Sequence, residues 1–151
     1  MPTRLTRAIV KTLDRLARRA LPNQDSPEHQ QTGRRGEEDA YFYLRKKGYT
    51  IVARNFRSPR RKGEIDLIAW DGNVLCFIEV KTRTSHQIKP AEAAVDTAKR
   101  QELVAVAREY LRHMPLSCQW RCDVITVYYE EQHTSRPEIE LFKNAFSMPY
   151  N

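Results

Sequence analysis

Nowhere in the chain do apolar residues run for the ~20 positions that a membrane-spanning helix needs, so no transmembrane segment is expected. Cysteine is scarce. Cys76, Cys118 and Cys122 make an odd total that gives no disulfide framework and points to a reducing, cytoplasmic setting rather than export. Cys118 and Cys122 have the spacing of half a zinc site, but a second cysteine pair is missing and the four histidines (His29, His86, His113, His133) are scattered. The thiols therefore read as core or surface groups. The sequence also lacks internal repeats, low-complexity tracts and the uninterrupted apolar core of a secretory signal.

What is present is a basic chain of ordinary domain length. Lysine and arginine total 26 against 19 acids over 151 residues, a formal charge of +7 that favours polyanionic partners. Hydrophobic residues at 40% are enough for a real core. Residues 4–21 set Leu5, Ala8, Ile9, Leu13, Leu16 and Ala20 at helical spacing among arginines and lysines, with few acids. Such a basic amphipathic helix fits contact with nucleic acid or, peripherally, an anionic membrane; an organelle transit peptide and a merely docked terminal helix fit too. The polar stretch Asn23 to Thr32 after Pro22 reads as a linker, which sets residues 1–32 apart from a domain at 33–151.

From Gly33 the patterning tightens. A helix is expected from Gly36 to Lys47, stopped by Gly48, followed by a strand from Tyr49 to Phe56. A second helix should start at Pro90 and reach about Arg112, then a strand from Arg121 to Tyr129 and a short edge strand from Ile139 to Lys143. With the two strands described next, the order is α-β-β-β-α-β-β, an α/β fold with a mixed β-sheet flanked by helices.

Two runs carry the chemistry: Gly63-Glu64-Ile65-Asp66-Leu67-Ile68-Ala69 and Phe77-Ile78-Glu79-Val80-Lys81-Thr82-Arg83, separated by Asp71-Gly72-Asn73. Both alternate with the period of a strand, yet their charged positions sit among core-type residues, where an unpaired charge is costly. A two-residue Gly72-Asn73 turn pairs Asp71 with Val74, and counting outward sets Asp66 opposite Glu79 and Glu64 opposite Lys81. An Asp71-Gly72 turn moves the register by two with the same parity, whereas a three-residue loop would put Asp66 and Glu79 on opposite faces. With either two-residue turn, Glu64, Asp66, Glu79 and Lys81 share one face, with Ile65, Leu67, Ile78 and Val80 on the other. Two carboxylates plus a third from a packed helix make a hard-oxygen cage suited to Mg²⁺ or Mn²⁺, and a lysine beside them can hold a water and meet phosphate charge. Glu37, in the first turn of its helix, is the candidate third acid. Upstream, Arg54, Arg57, Arg60, Arg61 and Lys62 form a basic collar suited to a phosphate backbone, which Arg83 and Lys99 can extend. The alternative is a structural ion network, with Asp66 and Glu79 neutralised by Lys81, Arg83 or Arg121.

Gly36-Glu37-x-x-Ala40-x-x-Tyr43-Leu44, Gly48-Tyr49, Asn55-x-Arg57, the two acidic runs, Lys99, Arg121-x-Asp123-Val124 and Asn144-Ala145-Phe146 together resemble the YraN family, small bacterial proteins of uncharacterised function. That family in turn is similar to the restriction-endonuclease-like superfamily and its archaeal Holliday-junction resolvases. The resemblance implies a nuclease fold, DNA rather than RNA as partner, a two-fold homodimer and a PD-(D/E)-x-K centre. Asp66 matches the signature aspartate, Glu79 the second acid, Lys81 the lysine and Glu37 the helix acid of the resolvases. Ile65 stands where the signature has proline, and Glu64 has no place in it, so its role is open. A protein that keeps the fold and binds nucleic acid without cutting it, and an adaptor docking through its N-terminal helix, are the competing readings.

Overall fold

A computed structural model describes residues 28–84, 96–129 and 136–146. The chain divides into two compact units, Met1–Thr32 and Gly33–Asn151. The basic helix expected at residues 4–21 lies outside the described residues. Helix α1 spans Glu28–Lys46, followed by β1 (Thr50–Arg57), β2 (Glu64–Asp71), β3 (Val74–Arg83), α2 (Thr97–Leu111), β4 (Gln119–Tyr128) and β5 (Glu138–Phe146). This is the expected α-β-β-β-α-β-β order. The expected linker is shorter than its polar composition implied, because residues from Glu28 onward are already helical. Gly48, at φ 88°, ends α1 in the left-handed conformation that a residue without Cβ adopts freely.

The five strands run in spatial order β1-β2-β3-β4-β5. Only β3 and β4 are parallel, and α2 lies on the connection between them; the other neighbours are antiparallel. The segment from Pro90 to Val95, expected to open α2, lies outside the described residues, and Asp96 caps the helix by accepting the Lys99 amide at 2.8 Å. The edge strand expected at Ile139 to Lys143 is longer, nine residues.

Among the described residues, each face of the sheet carries one helix. On one face Leu103, Val106 and Ala107 of α2 bury Ile68, Leu75, Phe77, Cys122 and Val124. Tyr110 extends this core through edge-to-face contacts with Phe56 and Phe77. On the other face Ala40 and Leu44 of α1 bury Leu67, Ala69, Cys76, Ile78, Ile125 and Val127. The alternation expected of β2 breaks at one point. Ile65 and Ile68, three residues apart, join the α2 core together, whereas Leu67 joins the α1 core. Across the ladder their partners Phe56 and Ala53 lean on the α2 core as well. Between those two lies Asn55 at φ 48°, a left-handed residue that rolls β1 over, and the paired β2 follows. Ile65 therefore does not share a face with Leu67 and Ile78.

Candidate functional site

The β2–β3 hairpin has the expected register. Asp71 pairs with Val74 across Gly72-Asn73, and the ladder continues to Leu67↔Ile78, where it stops. Beyond that pair the strands fork: β2 stays on β1 as far as Arg57↔Glu64, and β3 stays on β4 as far as Arg83↔Tyr128. Asp66 stands in the fork. Its Oδ2 accepts the Val80 amide at 2.7 Å, so a side chain takes a backbone N–H that no β2 carbonyl receives. Glu64 and Lys81, expected opposite one another, fall on separate arms of the fork and make no mutual contact.

The arms carry different partners. On β3, Glu79 is almost fully buried, and its Oε1 meets Lys81 Nζ at 2.8 Å and Lys99 Nζ, from α2, at 3.9 Å. Its other oxygen, Oε2, is buried with no partner. On β2, Glu64 pairs with Arg57 and accepts the Asn55 amide at 3.2 Å. The same Asn55 Nδ2 donates to Glu37 Oε2 at 3.0 Å. Glu37 reaches the fork because α1 presses against β3: a Cβ on Gly36 would stand 2.0 Å from Thr82 Oγ1, a distance only glycine permits. Burial, then the neighbouring charges of Glu79 and Glu37, push the Asp66 carboxyl up to about 8, although the Val80 amide and Lys99 pull the other way.

The expected basic residues divide. Arg60 reaches Glu109 at 3.4 Å and Lys62 reaches Glu102 at 3.9 Å, both acids on α2, so these two cations hold the loop to the helix. Arg54 lies over the Tyr41 ring. Arg83 donates to the Thr82 carbonyl. Arg57, Arg61 and Lys99 line, with Ser58, Gly63 and Glu64, an open cavity of about 360 Å³ beside the fork. Arg61 makes no ion pair among the described residues. Arg121, considered as a neutraliser of the fork acids, is elsewhere. It binds Asp123 through Nε at 2.9 and 3.0 Å and Asp71 through Nη2 at 2.7 Å, at the hairpin-turn end of the sheet. Asp123 also accepts the Asn144 amide at 2.8 Å, where the β4–β5 register shifts. These motif residues thus staple β5 to the sheet. Sequence reasoning missed Asn55 as a site residue; the signals were its place in the Asn55-x-Arg57 motif and an asparagine in a β-rich run, a residue type that tolerates positive φ.

The family model for UPF0102, described as an uncharacterised protein family, matches residues 36–127. The chain belongs to UPF0102. This is the YraN family that its motifs resemble. A UPF0102 protein of Koribacter versatilis is 55% identical over 141 residues, 93% of this chain and 94% of that one. One from Solibacter usitatus is 41% identical, over 91% of this chain and 97% of its own length. Among solved structures, the Holliday junction resolvase Hjc of Archaeoglobus fulgidus aligns over 72% of this chain and 73% of its own, at 21% identity and a TM-score of 0.43. For UPF0102, the fork, its acids and its lysines are the features that call for a function.

Proposed function

We propose that this UPF0102 protein is a divalent-metal-dependent DNA endonuclease centred on the β2–β3 fork. The observation that carries the reading is Asp66 in that fork, with Glu79 and Lys81 on the adjoining strand. Among the described residues no three carboxylates close into a coordination set. The fit to Mg²⁺ or Mn²⁺ rests instead on charge and on an orphaned oxygen. Burial, then the charges of Glu79 and Glu37, push the Asp66 carboxyl up to about 8, and Glu79 Oε2 is buried without a partner among the described residues. A divalent cation relieves both costs. Asp66 and Glu79, with Glu37, would hold it; when bound it supplies Lewis-acid stabilisation of phosphate charge and an acidified water. Lys81, on the strand face beside Glu79, would hold a water and meet the developing charge on the phosphate. Arg61, Lys99 and Arg57 offer cations for the flanking backbone.

Branched DNA as substrate, a two-fold homodimer and a cytoplasmic setting complete the proposal. Two symmetric scissile positions on a junction call for two copies of one centre. The test is a panel of labelled linear and branched DNAs incubated with the full chain in Mg²⁺, Mn²⁺ or EDTA. Metal-dependent cleavage that Lys81→Ala abolishes while DNA binding persists supports the nuclease. A second reading has its own observation: Lys81 already neutralises Glu79 and Arg57 already neutralises Glu64. That arrangement suits a nucleic-acid-binding protein that does not cut, and binding without cleavage in any metal would favour it.

A further inference from the structure

Asn55 brings two acids from different elements to a single donor. Its Nδ2 is 3.0 Å from Glu37 Oε2 on α1 and 3.2 Å from Glu64 Oε1 on β2, and an amide nitrogen has two hydrogens, one for each. Two carboxylates held this close repel one another. A lysine or arginine at position 55 would add a further cation to the one Arg57 already brings to Glu64; asparagine joins the two acids and leaves the Glu37 charge uncancelled. The position imposes a second demand, a φ of 48°, which among side chains able to donate favours asparagine. One residue type meets both requirements. The pair it holds lies beside Asp66, which feels the Glu37 charge, and the nearly buried Glu79 adds an oxygen with no partner.

We propose that Asn55 is a positioning residue that yokes Glu37 to Glu64 and thereby makes Glu64 part of the acidic set that receives the divalent cation. The inference rests on the metal-dependent reading above and assigns the one fork acid whose role the signature leaves open. Asn55 touches neither substrate nor metal in this account; it fixes where two carboxylates stand. Arg57, paired with Glu64, fixes the same carboxylate from its other side.

The experiment titrates Mn²⁺ calorimetrically into the EDTA-treated, desalted full chain, with metal-free thermal melts alongside. Asn55→Gly keeps a backbone at ease with positive φ and removes only the amide. It should melt within a few degrees of the wild type and bind Mn²⁺ about 10–100-fold more weakly, the loss typical of removing a residue that orients metal ligands. Glu64→Gln should weaken binding comparably, and the double variant should lose little more than the worse single one. Wild-type Mn²⁺ affinity in Asn55→Gly, or fully additive losses, overturns the yoke while leaving the nuclease reading intact. An unfolded Asn55→Gly overturns it too, because the amide would then serve folding alone. A wild-type chain that takes up no Mn²⁺ overturns the metal-dependent reading and the yoke with it.

Discussion

Asp66→Asn tests the electrostatics of the fork without any nuclease assay. The substitution keeps the side chain's shape, and the asparagine oxygen can still accept the Val80 amide. What it removes is a titratable group whose carboxyl is pushed from 3.8 up to about 8 by burial and by Glu79 and Glu37. The sign follows directly. The folded protein retains this proton where the unfolded chain has released it, so wild-type stability falls as pH rises between about 4 and 8. At pH 7 the unfolded carboxyl lies some three pH units above its own midpoint, which sets a ceiling of about 4 kcal/mol on the cost. Asp66→Asn escapes that cost. In urea denaturation with EDTA it should be more stable than wild type at pH 7 by up to about 4 kcal/mol, and the advantage should vanish toward pH 4. With Mg²⁺ added the order should narrow or invert, because only the wild type gains binding energy. A variant less stable by roughly 3–5 kcal/mol at pH 7, the penalty for breaking a buried ion pair, would refute the reasoning and make Asp66 an ionised member of a structural network.

Gly36→Ala drives a methyl to 2.0 Å from Thr82 Oγ1, and should destabilise the protein by about 1–3 kcal/mol in thermal or urea melts. Arg61, the cation of the fork cavity without an ion pair, should contact phosphate: Arg61→Ala should lower the slope of log affinity against log salt for DNA by about one. Arg60→Ala and Lys62→Ala should change the slope less, since those cations already face Glu109 and Glu102. Asp71 is held down to about 2 by hydrogen bonds from Lys143 and Arg121, so its stabilisation is full above pH 4 and is lost as pH falls toward 2. Asp71→Asn should flatten the acid limb of the stability–pH curve.

The hairpin was legible because its turn chemistry is local. Asp71-Gly72-Asn73 announced a two-residue turn and with it the parity of the ladder; of the two registers it allowed, the structure takes Asp71↔Val74. Element order was legible for a similar reason, since each helix and strand carries its own period. The fork was not. Ladder counting assumes that pairing continues, and nothing in Glu64-Ile65-Asp66 announces that β2 rolls over there. The cause lies on the neighbouring strand, in the φ of Asn55, which reaches β2 only through pairing. The partners of the basic loop were not legible either, because charge in a sequence says nothing of which acids a helix will offer it. Arg121 looked available to the fork by composition, but its register beside Cys76 carries it to the hairpin-turn end, toward Asp71.

Both outer strands of the sheet share one device. β1 has a register shift between Ile51 and Ala53 and a left-handed Asn55; the β4–β5 ladder shifts between Cys122 and Val124 around a left-handed Asn144. A strand bent in this way offers no straight row of amides and carbonyls for another chain to zip onto. Edge-to-edge growth of the sheet is therefore disfavoured at both margins. The irregularity in β1 beside the acidic fork thus also makes that strand a poor template for edge-to-edge pairing. The two-fold pairing proposed above is accordingly expected through helix faces or loops rather than through strand edges.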